Sequence, residues 1–296
     1  MHNYKNSIPF NRDFFMKKAR KFLLAKTIGG YLNILSYLNK QKAEEKVYQL
    51  FSTPRKGRLK MDRLPKTLHQ SLLVEFHHEN EKYQSYVWQG DEKSILLLHG
   101  WESNSSRWKK TLKYLRPLGH TIIALDAPAH GLSDGAEFNM PKYANIISEF
   151  VKKHNPKILI GHSMGGATIS YFLHKYKDHN IEKVVILGSP SDFNILAKNY
   201  YTLLSLNTKN QQLFENAIQA KFNINISEFS GHLFAKQFTQ EALIVHDVND
   251  KIVNVEEGQK YAAAWKNSTF LQTTGLGHGL HDHEVYLKLI AFLSEK

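Results

Sequence analysis

The chain contains no cysteine. Disulfides, a thiol nucleophile and thiolate metal sites are therefore excluded, and a reducing compartment fits. No run of about 18 apolar residues occurs, so no membrane-spanning helix is expected. The N-terminus shows no compact charged, apolar and small-residue cleavage pattern, and a secretory signal is not expected. The expected location is the cytoplasm, with a peripheral position on a membrane as the alternative. Acidic residues are scarce in one region only. Residues 1–66 hold 16 Lys/Arg against 4 Asp/Glu, and the rest of the chain holds 23 of each. The whole formal excess of +12 sits in that first segment. Such asymmetry suggests an acidic partner or surface for residues 1–66 alone.

What is present is a globular composition, with 42% apolar and 22% charged residues over 296 positions. That suffices for a substantial core. Within residues 1–66, Leu24, Ile28, Tyr31, Leu35 and Leu38 recur at helical spacing, and Val47, Leu50 and Phe51 continue a second short helix. Lys56-Gly57-Arg58-Leu59-Lys60 reads as a basic connector. Two roles compete for this extension. It can pack an apolar face on the main domain and solvate its lysines, or it can make a peripheral contact with an anionic membrane. No nucleic-acid motif accompanies the charge, so no nucleic-acid partner is expected.

A loose alternation over residues 71–89, broken at 79–82, reads as a β-hairpin. Apolar runs then follow at 94–98, 121–125, 157–160, 183–187, 242–246 and 269–272. Helical stretches at 107–115, 143–153, behind Gly165 and at 284–293 separate them. Strands and helices that alternate in this way give a mostly parallel sheet covered on both faces. Between about 191 and 240 the alternation stops, and two or three helices are expected instead. We read this insertion as a small helical lid over the C-terminal ends of the strands, the alternative being a packing decoration away from any site. Phe193, Tyr200, Tyr201, Leu203 and Phe214 in it suit an apolar pocket or simple core packing. The domain division is thus 1–66, a basic helical extension, and 67–296, which carries the insertion.

Gly161-His162-Ser163-Met164-Gly165 joins the strand at 157–160 to a helix. A serine between glycines at a strand-to-helix turn has the form of a nucleophile elbow. A serine hydroxyl needs a base to take its proton and a carboxylate to orient that base. Candidates lie downstream in loops just past two later strands: Asp247 and Asp250 in the first, His278 in the second. His281 and His283 lie nearby, and Asp282 reads as the cap of the last helix.

With His99-Gly100 behind a central strand and Asp126 to Ser133 forming D-x-P-x-x-G-x-S, these segments come in the order of one family. The chain resembles the α/β-hydrolase superfamily of serine hydrolases, such as esterases, lipases and acyl hydrolases, over about residues 71–296. The resemblance implies an α/β fold: a mostly parallel central sheet, helices on both faces and a lid insertion. It implies Ser163 as nucleophile, His278 as general base and then acid, and Asp250 rather than Asp247 as the orienting carboxylate. It also implies an oxyanion hole made by the backbone N–H groups of Trp101 and Met164, with no cofactor and no metal. His99, His130 and His162 are expected to pack or hydrogen-bond around the site. The implied activity is that of a carboxylic-ester-type hydrolase acting on a small-molecule acyl substrate through an acyl-serine. A C–C or amide bond hydrolase with the same triad, and a non-catalytic binding module of this fold, are the alternatives.

Overall fold

The structure, a computed structural model, describes residues 12–90 and 92–295. Residues 1–11, the start of the basic segment, lie outside the described residues. Two compact units emerge from the contacts. One comprises Met1–Leu50 and Leu196–Asn225, the other Phe51–Ile195 and Ile226–Lys296.

The second unit holds the sheet. Its strands are β1 (Leu72–His78), β2 (Glu81–Trp88), β3 (Glu92–Leu98), β4 (His120–Leu125), β5 (Ile158–His162), β6 (Lys183–Leu187), β7 (Glu241–Asp247) and β8 (Ser268–Thr273). Their order across the sheet is β1-β2-β4-β3-β5-β6-β7-β8. β1 pairs with β2 and β2 with β4 antiparallel, and every later pair is parallel. Side chains alternate between the two faces of a strand. Ile95, Leu97, Ile158, Ile160, Val185 and Val245 point into one core with Leu112, Leu115, Leu289 and Phe292. Those partners lie on α4 (Lys109–Leu115) and α11 (His283–Ser294). The residues of opposite parity, Leu96, Leu98, Leu159, Val184, Ile186 and Ile244, are buried as well. Both faces are therefore covered, which is why these strands read as continuous apolar runs. On β5 to β8 the contacts come from α6 (Met164–Lys175) and α10 (Val255–Ala264); α5 (Met140–His154) packs on α6, the short α9 (Gly231–Ala235) on α6 and α10, and the short α3 (Lys66–His69) on β1.

The first unit is helical. α1 (Arg12–Leu38) and α2 (Lys40–Ser52) supply its N-terminal part, α7 (Phe193–Leu204) and α8 (Thr208–Phe222) its second part. Asn33 ties them: its Nδ2 donates to Ser205 O (2.9 Å) and its Oδ1 accepts from Asn207 N (2.9 Å) at the start of α8. The Tyr200 hydroxyl donates to Val47 O (2.7 Å), and the Tyr48 and Phe222 rings lie 6.2 Å apart. Tyr200, Tyr201 and Phe214 pack ring on ring at 5.6 and 5.7 Å. Tyr200, Tyr201 and Phe214 are thus engaged in packing within this unit, whereas Phe193 packs on Phe51 and Phe229 within the second one. Among the described residues no helix is long and apolar enough to cross a membrane.

Candidate functional site

Ser163 stands at the junction of β5 and α6 with φ 54° and ψ −124°. A non-glycine residue at positive φ is strained. Its neighbours make the turn possible. A side chain at Gly165 would put Cβ 2.1 Å from the Leu98 carbonyl oxygen, so β3 and α6 approach this closely only with glycine there. The turn is pinned by the Ser163 N–H, which donates to Leu187 O (2.8 Å) on β6. Met164 opens α6, and a helix's first N–H groups have no partner within the helix. Among the described residues neither the Met164 nor the Trp101 N–H donates to a protein acceptor.

Gly100, directly before Trp101, lies against the elbow: a Cβ built there would be 2.9 Å from Ser163 Cβ and 3.1 Å from Met164 N. His99 fixes this loop. Its Nε2 accepts from Ala127 N (2.9 Å), so Nδ1 carries the proton and donates to Gly100 O (2.8 Å). In a trans peptide the N–H points opposite the C=O, so anchoring Gly100 O also aims the Trp101 N–H. His130 repeats the pattern, accepting from Glu102 N (2.9 Å) and donating to Pro128 O (2.8 Å). Burial pushes both rings down to about 4, with nearby positive charge assisting.

Asp126, which opens the D-x-P-x-x-G-x-S turn, is fully buried. Its carboxylate accepts from Ser105 N and Oγ (2.8 and 2.7 Å), Tyr86 OH (2.9 Å) and Leu132 N (3.0 Å). The basic connector clasps the same turn. Gly131 N donates to Gly57 O (2.9 Å), Leu59 N donates to Gly131 O (3.0 Å), and the Arg58 guanidinium donates to Ser133 O and Gly135 O. Residues 57–59 are thus part of the loop system around the serine. Sequence reasoning passed over them because only the basic character of the stretch was visible.

His278 and Asp250 meet across the ends of β7 and β8. His278 Nδ1 lies 2.7 Å from Asp250 Oδ2. Asp250 Oδ1 accepts from Ile252 N (2.8 Å) and Val253 N (3.0 Å). Burial alone would raise this carboxyl. The histidines and the two N–H groups outweigh burial and hold it far below the usual carboxylate range. Asp247 does something else. Its oxygens accept from Asn249 N, Thr273 Oγ1, Leu276 N and Gly277 N (2.8–3.0 Å), shaping the loop that ends in His278.

Two histidines back this pair. His162 Nε2 donates to His278 O (2.7 Å), tying the residue before Ser163 to the histidine loop. Burial, with the charge of Arg107 adding to it, keeps His162 well below its ordinary pKa. His246, wholly buried at the end of β7, went unnoticed in the sequence. Its Nε2 lies 2.9 Å from Val253 O and 3.5 Å from Asp250 Oδ2, so that nitrogen carries a proton between two acceptors. Its position four residues before Asp250 was the available signal. Asp282 caps α11 by accepting from Glu284 N (2.8 Å). Among the described residues no group of three His, Asp or Glu side chains is arranged to hold a metal ion.

Residues 93–236 match the family model described as alpha/beta hydrolase fold. A putative esterase/lipase 3 of Mycoplasma pneumoniae is 31% identical over 144 residues, which cover 44% of this chain and 49% of that protein. Mouse (Mus musculus) protein ABHD8 is 27% identical over 208 residues, covering 57% of this chain and 47% of its own length. The chain thus spans about half the length of these curated relatives. Among solved structures, a bromoperoxidase from Bacillus anthracis superposes with a TM-score of 0.60 at 18% identity, over 76% of this chain and 100% of that one. That likeness concerns the fold. The matched segment carries the elbow, and the chain has the α/β-hydrolase fold.

Proposed function

We propose that this protein hydrolyses a carboxylic ester, or a related acyl bond, of a small molecule through an acyl-enzyme on Ser163. The observation that carries this reading is the 2.7 Å contact between His278 Nδ1 and Asp250 Oδ2, on a histidine loop tied to the strained serine's neighbour. With Nδ1–H committed to Asp250, the neutral ring keeps its lone pair on Nε2. In this mechanism Nε2 takes the Ser163 hydroxyl proton as Oγ bonds to the substrate carbonyl carbon. The oxyanion is met by the N–H groups of Trp101 and Met164, donors of a kind whose loss typically costs about 10²–10³ in turnover. Collapse breaks the bond to the leaving oxygen, which receives the proton from His278. Water then attacks the acyl carbon, gives its proton to His278 and releases the acid, and Ser163 regains its hydrogen. The ester-named relatives support this class of bond and leave the acyl group open.

A fluorophosphonate probe and a series of p-nitrophenyl esters of graded chain length test the reading. Labelling should fall on Ser163, and Ser163→Ala should lower ester turnover by a factor on the order of 10⁴ or more. Unlabelled folded protein, or turnover unchanged in Ser163→Ala, would overturn it.

A further inference from the structure

α1 is apolar on two sides. One side is used within its own unit, where Gly29, Leu32, Leu35 and Ser36 are buried. Lys26 Nζ donates to Thr202 O (2.9 Å) at the end of α7, and Asn33 binds the start of α8. These bonds fix which side of the helix is turned inward. The opposite side presents Leu23, Leu24, Tyr31, Ile34, Tyr37 and Leu38, spaced to fall on one face. Their exposures are 63, 61, 51, 64, 71 and 79%. A surface helix ordinarily carries polar residues there. Single exposed apolar side chains are commonplace, but a continuous stripe along one face marks an interaction site.

The charge on the same helix says what covers it. α1 contains Arg12, Lys17, Lys18, Arg20, Lys21 and Lys26 against one acidic residue, Asp13. Arg20 and Lys21 are exposed beside Met16 and Phe22. At the other end Lys209 Nζ lies 4.4 Å over the Tyr37 ring. Outside residues 1–66 the chain is balanced in charge. Tyrosines suit a boundary between an apolar layer and water, since the ring is buried while the hydroxyl stays wet. A second copy of the chain would cover the stripe but leave the cationic half of the helix uncompensated. Since no described helix can span a bilayer, the arrangement is that of a helix lying in the interface plane. We infer that α1 docks this protein on an anionic lipid surface. Its stripe from Leu23 to Leu38 enters the acyl boundary, and Arg20 and Lys21 meet the headgroups.

Co-sedimentation of the full-length protein with vesicles tests this. One set contains phosphatidylglycerol, the other phosphatidylcholine alone, each at low and high salt. The protein should pellet with phosphatidylglycerol vesicles at low salt, and high salt should weaken this. Arg20→Gln with Lys21→Gln should reduce the affinity roughly five-fold per charge removed. Leu23→Ser with Ile34→Ser and Tyr37→Ser should reduce it by more than roughly ten-fold. Because all five side chains are exposed, thermal midpoints should stay close to that of the unaltered protein, and size-exclusion light scattering should give one mass for every form. Binding to neither vesicle, equal and salt-insensitive binding to both, or binding untouched by the triple substitution would overturn the inference. A dimer that the triple substitution dissociates, without vesicle binding, would also overturn it and make the stripe a contact between copies.

Discussion

Each histidine around Ser163 has a tautomer dictated by its partners. His99 and His130 both donate from Nδ1 and accept at Nε2, which only a neutral ring can do. The sequence located these residues beside the elbow. It could not give their protonation, because the donor to each Nε2 comes from a residue 28 positions away. Burial pushes both down to about 4 from an ordinary 6.5. An unfolded chain therefore binds more protons than the folded one across that interval. Stability is fully present above the ordinary value and is lost as the pH falls toward the folded value. Two such rings correspond to about 2.7 kcal/mol per pH unit within the window. Urea unfolding at a series of pH values should show the midpoint falling from about pH 6.5 downward. His130→Asn should flatten that profile while lowering stability at neutral pH. A wild-type midpoint constant over the window would refute the neutral assignment.

Among elements, the central strands were plain in the sequence because burial on both faces leaves no polar position to confuse the period. α10 was not seen. Its first turn carries two glutamates, a favourable signal, but Gly258 follows directly and weakens it. The structure explains the glycine: a Cβ there would lie 2.7 Å from His246 Nδ1. It explains one glutamate too. Glu257 is buried, and its Oε2 accepts from Ser191 N, Ser191 Oγ and Asp192 N (2.8–3.0 Å) while Lys260 Nζ lies 2.7 Å from Oε1. Asp192 in turn pairs with Ser230 in an antiparallel bridge. α10 thus holds the Ser191–Asp192 turn, which bridges to Ser230. Glu257→Ala would leave the two buried Ser191 donors and the half-buried Asp192 N–H without their acceptor, while Lys260 would keep its bond to Asp192. A loss of about 2–4 kcal/mol is expected in denaturant unfolding. Glu257→Gln, which keeps one acceptor oxygen, should cost less. An alanine variant within about 0.5 kcal/mol of wild type would show that these bonds add no stability.

At the scale of the whole molecule, the sequence suggested an N-terminal extension and a separate insertion. The contacts place Met1–Leu50 with Leu196–Asn225 in one compact unit. No local pattern announces a pairing between segments more than 150 residues apart, since periodicity reports which face is apolar and not what it meets. One residue records the pairing. Gly29 of α1 lies against the Leu204 carbonyl at the end of α7, and a Cβ on it would fall 1.6 Å from that oxygen. Neither element can yield by a side-chain rotation, because the obstacle is backbone. Gly29→Ala should therefore drive α1 away from α7 despite alanine's better helix propensity, about 1 kcal/mol in favour on an isolated helix. Hydrogen exchange would separate the two effects. If packing dominates, residues 196–225 should lose protection together with residues 25–38, while β3, β5 and β6 keep theirs. Unchanged protection in residues 196–225 would mean that the insertion's helices hold their structure without the N-terminal helix.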